Sequence, residues 1–242
     1  MSPVALTHLH TSVRAEAMLD GPARLRLLRR DRWIDYRRAN QALEKLELLL
    51  ETPPRERMPC MVLHGDSNIG KTLIIAKFKR DHPDVLEHLA RGLLRHIAPR
   101  MLIVDEVHHL LAGNYREQRA SLNLLKFLAN DLRFSLVVVG TSDAPRALAS
   151  DPQMISRFTP FEIPRWRESD DLRRLLGAFE RLLPLQKPSD LMQRAVVQFV
   201  LAASGGLTGE ISRLLNDAAA MAVKDGSEQI TLAHLEHAAH GE

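Results

Sequence analysis

Met61-Val62-Leu63-His64-Gly65-Asp66-Ser67-Asn68-Ile69-Gly70-Lys71-Thr72 decides how this 242-residue chain is read. Four residues suited to a short buried strand run into G-x-x-x-x-G-K-[ST], and residues 73–80 continue as a helix. In such a loop the glycines let the backbone turn, so that successive N–H groups converge on phosphate oxygens. The helix behind it adds its positive N-terminus. Lys71 then reaches the terminal phosphates and Thr72 sets its hydroxyl on Mg²⁺. Gly65, Asp66, Ser67, Asn68, Ile69, Gly70, Lys71 and Thr72 together are the expected nucleotide cradle.

A second stretch supplies what the first requires. Met101-Leu102-Ile103-Val104-Asp105-Glu106 reads as an apolar strand delivering Asp105 to its carboxyl edge, where the carboxylate holds Mg²⁺ through water. Glu106 is then placed to polarise the attacking water. The expected catalytic pair is Asp105 and Glu106, the expected metal pair Thr72 and Asp105, and the cofactors ATP and Mg²⁺. His108-His109 follow at once, but without an H-E-x-x-H helix or a second cluster at ligand spacing. Adjacent side chains also diverge, so no metal site is read from them.

Composition narrows the rest. With 45% apolar and 26% charged residues, 12 Gly and 13 Pro, the chain is neither disordered nor low-complexity. No apolar stretch approaches about 18 residues, so no bilayer span is expected. The first twenty residues lack the basic-then-apolar layout of a secretory signal. A single cysteine, Cys60, excludes a disulfide framework and is expected to be inert. A cytoplasmic protein without membrane contact is the expectation.

The net charge is +3 but unevenly placed. Arginines 14, 24, 26, 29, 30, 32, 37 and 38 face only Glu16, Asp20, Asp31 and Asp35 in one segment. That patch suits a polyanion, or it is the solvated face of an amphipathic helix. Both readings stay open.

Residues 11–50 read as helical with a break near Gly21-Pro22, and Ala39, Leu43, Leu46 and Leu50 mark the apolar stripe of the second half. Residues 52–57 form a connecting linker. Strands are expected at 61–64, 101–105, 135–140 and 158–163, and helices at 73–80, 86–97 and 116–131. After Trp166 only helices follow, at 169–183, 190–204 and 210–224, with Thr231 capping a fourth. Strands alternating with helices, then helices alone, indicate an α/β core with a parallel sheet and a C-terminal helical domain. The expected division is an N-terminal helical segment at 1–56, a phosphate-loop core at 57–165 and a helical lid at 166–242.

At this point the chain resembles the AAA+ ATPases. The residues that carry the likeness are the two motifs, Thr141 ending a third strand, Arg157 after a short helix, and the helical lid. The resemblance implies that Thr141 is the sensor of the γ phosphate. It implies that Arg157, in Asp151-Pro152-Gln153-Met154-Ile155-Ser156-Arg157-Phe158, is an arginine finger reaching a neighbouring subunit's nucleotide. It places a second sensor arginine near Gly205-Gly206-Leu207-Thr208-Gly209-Glu210-Ile211-Ser212-Arg213, where Arg213 is the candidate.

More closely, the sequence is similar to the transposition ATPases of the TniB and TnsC type, with MuB more distant. Trp33-Ile34, Tyr36, Ala39, Arg57-Met58-Pro59, Phe78 and His82-Pro83 carry this likeness. So do the run from Asp105 to Gly113, then Gly140-Thr141, Pro164-Arg165-Trp166 and Leu182-Leu183-Pro184-Leu185. One departure stands out. Lys71 and Asp105 are only 34 positions apart, and residues 81–85 do not read as a strand, which leaves open whether the core has the family's second sheet strand.

What the resemblance implies is an ATP-dependent, DNA-binding regulator of transposition in the bacterial cytoplasm. It would assemble on double-stranded target DNA as a ring or helical filament without sequence preference. There it would recruit a transposase, meet a target-selector protein, and disassemble on hydrolysis. Lys77, Lys79 and Arg80, together with Arg116 and Arg119, are the expected phosphate contacts. Two other readings stand beside it: an AAA+ loader of another DNA machine, and an adaptor that binds nucleotide without hydrolysing it.

Overall fold

The computed structural model describes residues 6–55, 58–82, 99–107, 123–125, 127–148 and 157–240. In chain order come α1 (Thr11–Arg14), a 3-10 turn (Glu16–Met18), α2 (Gly21–Leu28), α3 (Arg37–Glu51), β1 (Cys60–His64) and α4 (Lys71–Asp81). Then come β2 (Met101–Val104), β3 (Ser135–Gly140), α5 (Ala144–Leu148) and β4 (Phe158–Glu162). The chain ends in α6 (Asp170–Leu182), α7 (Arg194–Ser204), α8 (Thr208–Lys224) and α9 (Leu232–His240). Residues 123–125 and 127–131 are also helical. The expected helix at 86–97 lies outside the described residues, as does the first part of the one expected at 116–131.

By Cα proximity the chain forms two compact units, one from residues 38–164 and one from the N-terminal 37 residues with 165–242. The segment 1–56 is therefore shared between them, α3 belonging to the sheet unit and the earlier helices to the helical one.

In the sheet unit, four parallel strands lie in the order β2-β3-β1-β4. Leu63 is flanked in register by Val139 on one side and Phe161 on the other. All six residues of β3 are buried, as a Val-rich run covered on both faces requires. Pro160, which cannot donate to a ladder, is accommodated because β4 is an edge strand. Among the described residues β2 forms the other edge. This is the α/β sheet expected from the sequence, and no strand lies beyond β2 among those residues.

α3 buries Ala39, Ala42, Leu46 and Leu49. The predicted stripe held at Ala39 and Leu46, while Leu43 and Leu50 are only half-buried. Ala42, fully buried, takes the place in the stripe where Leu43 was expected. The Ser135 hydroxyl donates to the Leu49 carbonyl at 3.0 Å, which ties the end of α3 to the start of β3.

The break expected near Gly21-Pro22 falls just before that dipeptide, at Leu19-Asp20. That dipeptide begins α2: Asp20 accepts the Ala23 N–H at 2.8 Å, and Pro22 sits in the first turn, where no N–H is needed. A second break, not expected, falls at residues 29–36, where the Arg32 guanidinium caps the carbonyls of Leu27 and Leu28.

The helical unit is built on Leu28 and Ile34 from the N-terminal part, packed with Leu172, Leu176, Val197 and Leu215 from the C-terminal part. No single helix among the described residues is long and apolar enough to cross a membrane. The bent pair α7–α8 is apolar because its buried residues furnish this core.

Part of the arginine-rich segment is engaged within the structure, and Arg24 alone of its arginines is buried. Arg14 donates to the Leu9 carbonyl, Arg24 and Arg30 pair with Glu228 and Glu16, Arg32 reaches Asn216, and Arg38 donates to the Glu162 carbonyl. Arg26, Arg29 and Arg37 are exposed, so part of the segment still faces solvent.

Candidate nucleotide site

The carboxyl ends of β1, β2 and β3 lie side by side, and each hands a polar residue to the same edge of the sheet. In open parallel sheets that edge, where crossovers leave the strands, is where ligands bind. β1 delivers the phosphate loop. A Cβ on Gly65 would lie 2.5 Å from the Ile163 carbonyl oxygen, so no other residue fits there. Gly70, with φ 99°, caps α4 in a left-handed conformation that glycine adopts without strain. Ile69 is fully buried and anchors the loop, while Ser67 and Asn68 are exposed at its tip.

Lys71 is buried, and its ammonium donates to the carbonyls of Gly65 at 2.9 Å and Asp66 at 2.8 Å. Burial lowers its pKa below the usual lysine value, against the opposing pull of Glu106, Asp105 and Asp66. The cation thus stands at the mouth of a loop of backbone donors, facing carboxylates from the next strand.

β2 delivers those carboxylates. The Thr72 hydroxyl lies 3.4 Å from Asp105 Oδ2, so the two expected metal-holding residues meet although 33 positions separate them. Asp105 Oδ1 accepts the Glu106 N–H at 2.8 Å. Glu106 itself has φ 55°, a strained conformation for a residue with a side chain. A hydroxyl, a carboxylate and phosphate oxygens are the hard oxygen donors that Mg²⁺ prefers, so the residues present fit ATP with Mg²⁺.

β3 delivers Thr141. Gly140 just before it is packed so closely that a Cβ would meet Val107 Cγ1 at 2.8 Å and Ala144 Cβ at 2.9 Å. The Thr141 carbonyl accepts the Ala144 N–H at 3.0 Å and starts α5.

The remaining expected residues lie elsewhere. Arg157 donates to Asn130 Oδ1 at 2.6 Å within the sheet unit. Arg213, in the helical unit, pairs with Glu210 at 3.0 Å and Asp217 at 3.4 Å on its own helix. It borders a cavity of about 480 Å³ shared with Leu25, Leu28 and Arg29. Lys77 pairs with Asp81 one turn along α4, and Lys79 and Arg80 lie in the last turn of that helix. Arg116, Arg119 and His108-His109 lie outside the described residues.

Sequence reading missed His64, Glu162 and Arg38. His64 ends β1 beside Glu162 in register, Arg38 Nε donates to the Glu162 carbonyl at 2.8 Å, and the Arg38 guanidinium lies 3.9 Å from the Phe161 ring centroid. The one signal available was a histidine directly before the first loop glycine.

Residues 24–91 and 84–168 match the family described as bacterial TniB protein, together more than half of the chain. The chain belongs to the TniB family. It is also similar to the ATP-dependent zinc metalloprotease FtsH of Aquifex aeolicus, 24% identical over 224 residues, covering 80% of this chain and 34% of that protein. The TniB chain thus spans about a third of the length of that relative.

Among solved structures it resembles Drosophila ORC bound to DNA, with TM-score 0.61, 17% identity, and 95% of this chain against 66% of that one. It likewise resembles the Aeropyrum pernix ORC1 protein in complex with DNA (TM-score 0.60, 16% identity, 88% against 68%). The Cdc6p of Pyrobaculum aerophilum is similar as well (TM-score 0.58, 17% identity, 88% against 69%). At these identities the likeness is one of fold, and the TniB chain is an AAA+ α/β protein.

Proposed function

We propose that this TniB chain binds and hydrolyses ATP, and that it uses the cycle to assemble on and leave double-stranded DNA as a regulator of transposition. The observation that carries the nucleotide reading is the meeting of Thr72 with Asp105 beside the buried Lys71. Nothing in the packing of a plain strand–helix turn calls for that convergence.

In this reading the loop N–H groups and Lys71 hold the phosphates, and Thr72 and Asp105 hold the Mg²⁺. The metal, when bound, neutralises charge on the phosphate oxygens. Glu106 orients the attacking water, Thr141 contacts the γ phosphate, and Arg157 completes the site of a neighbouring copy. DNA is held through phosphates without base readout. Membership in the TniB family supports transposition as the setting, with a transposase and a target selector as partners and the bacterial cytoplasm as the compartment.

Turnover measured with and without duplex DNA tests the reading. Stimulation by DNA of any sequence supports it. Turnover indifferent to DNA favours another AAA+ machine, and nucleotide binding without turnover favours an adaptor.

A further inference from the structure

The nucleotide site holds one group that the reading above does not use. His64 is the last residue of β1, directly before Gly65, and its Nδ1 is buried without a hydrogen-bond partner among the described residues. A buried polar atom left unpaired is uncommon and calls for a reason.

Its surroundings supply one. From β4, Glu162 stands beside it in register, and parallel strands place paired residues on the same face about 4.8 Å apart. From α3 comes Arg38, already tied to the Glu162 carbonyl. From the phosphate loop comes Lys71. From β3 the register neighbour is Gly140, which presents no side chain. Burial holds the imidazole below its ordinary pKa; Glu162 acts against that, while the positive charges of Arg38 and Lys71 reinforce it.

Lys71 rests here on the carbonyls of its own loop, and its charge opposes protonation of His64, though less strongly than burial and Arg38 do. Phosphates entering the loop place negative charge against that ammonium and offset its influence, adding to Glu162, which is already the strongest charged neighbour of His64. We propose that His64 is a positioning residue of the nucleotide site, which takes one proton from solvent when phosphate charge fills the loop and then donates to Glu162, fastening the ends of β1 and β4 together. This rests on the reading of the loop as a nucleotide site.

The sign is fixed by the geometry. Protonation is favoured in the bound state, so nucleotide affinity rises as pH falls through the window between the free and bound titration midpoints. The limit is tenfold per pH unit for one proton.

The test is calorimetry of the whole chain with Mg²⁺ and a non-hydrolysable ATP analogue, in buffers of different ionisation enthalpy between about pH 6 and pH 8. Wild type is expected to take up more protons than His64→Gln, which subtracts the ligand's own titration, and to show the steeper pH dependence of affinity. Glu162→Gln is expected to lose most of the excess. In wild type, the His64 ring-proton resonance is expected to titrate at higher pH with the analogue than without it, a readout that needs no variant to fold. Equal proton counts in wild type and His64→Gln, or an unmoved His64 titration, would overturn the inference while leaving the nucleotide site standing. Absence of any binding would overturn both.

Discussion

Arg24 and Glu228 lie 204 positions apart in the chain and meet in a two-pronged ion pair, at 2.6 and 2.7 Å. Their side chains are only 7% and 13% exposed, and Glu228 also accepts the Gln186 N–H at 3.3 Å. One carboxylate therefore fixes α2 to the turn before α9. Removing one partner of such a pair strands a buried charge, which costs about 3–5 kcal/mol, whereas replacing both by apolar residues of similar volume is often neutral. Arg24→Ala is expected to lower stability by about 3 kcal/mol in chemical denaturation, and Arg24→Met with Glu228→Leu to recover most of it. A loss no larger than that of Arg26→Ala, an exposed arginine on the same helix, would show that the pair contributes nothing.

Lys71 and Glu106 should separate binding from chemistry. Lys71→Ala removes the only lysine inside the loop and is expected to abolish ATP binding in equilibrium titration. Glu106→Gln keeps the phosphate and Mg²⁺ contacts, so binding should stay within a few-fold while turnover falls by about a hundredfold or more. Wild-type turnover in Glu106→Gln would remove Glu106 from the mechanism.

Arg157 makes its hydrogen bond to Asn130 within its own chain, and its proposed task lies in a neighbouring copy. Arg157→Ala is expected to leave nucleotide affinity at low protein concentration unchanged and to reduce assembled turnover at least a hundredfold. Added Lys71→Ala protein, which brings an intact Arg157, should restore part of that rate. A rate per subunit independent of concentration would count against a role in trans.

Much of this site was legible because its residues are consecutive. A loop with glycines at two fixed positions and a strand ending in two carboxylates are local patterns, set by the turn geometry and the pleat. His64, Glu162 and Arg38 were not legible, because they meet only through the register of β1 with β4 and the packing of α3. The partners of the arginine-rich segment were hidden for a similar reason. Arg24 and Arg32 look like surface charge until residues some two hundred positions away arrive to bind them. Gly21-Pro22 suggested a break because both residues disfavour helix interiors. The Asp20 cap before them is what makes the same pair a helix start.

DNA binding through phosphates alone should obey counterion release, with log affinity falling by about 0.9 per phosphate neutralised for each tenfold rise in salt. Replacing Lys77, Lys79 and Arg80 by Gln, or separately Arg116 and Arg119, is expected to weaken binding equally on unrelated duplexes and to flatten that slope. Filter binding or anisotropy in the presence of ATP reads both quantities. A strong preference for one sequence would defeat the phosphate-only interface.

Asp225 gives an acid-side prediction. The Ser227 backbone N–H, the His234 ring and the Ser227 hydroxyl hold its pKa down from 3.8 to about 2. A carboxyl depressed in the folded state stabilises it above the unfolded value and loses that contribution as pH falls through the folded one. Asp225→Asn should therefore melt below wild type at neutral pH, with the gap closing between about pH 4 and pH 2. A gap that persisted unchanged at pH 2 would mean that the ionised carboxylate is not its source.

The helical unit draws its strands of chain from both ends of the sequence, with the whole sheet unit inserted between them. During synthesis, residues 38–164 emerge and can close their sheet while the first 37 residues still lack partners. Leu28, Ile34 and Arg24 must wait until α8 and the Glu228 turn have left the ribosome. A later-made part of this unit therefore completes an earlier-made one. A ribosome stalled before residue 228 would hold a finished sheet beside helices whose apolar faces are still uncovered. Moving residues 6–37 to follow α9 in the chain would remove that wait.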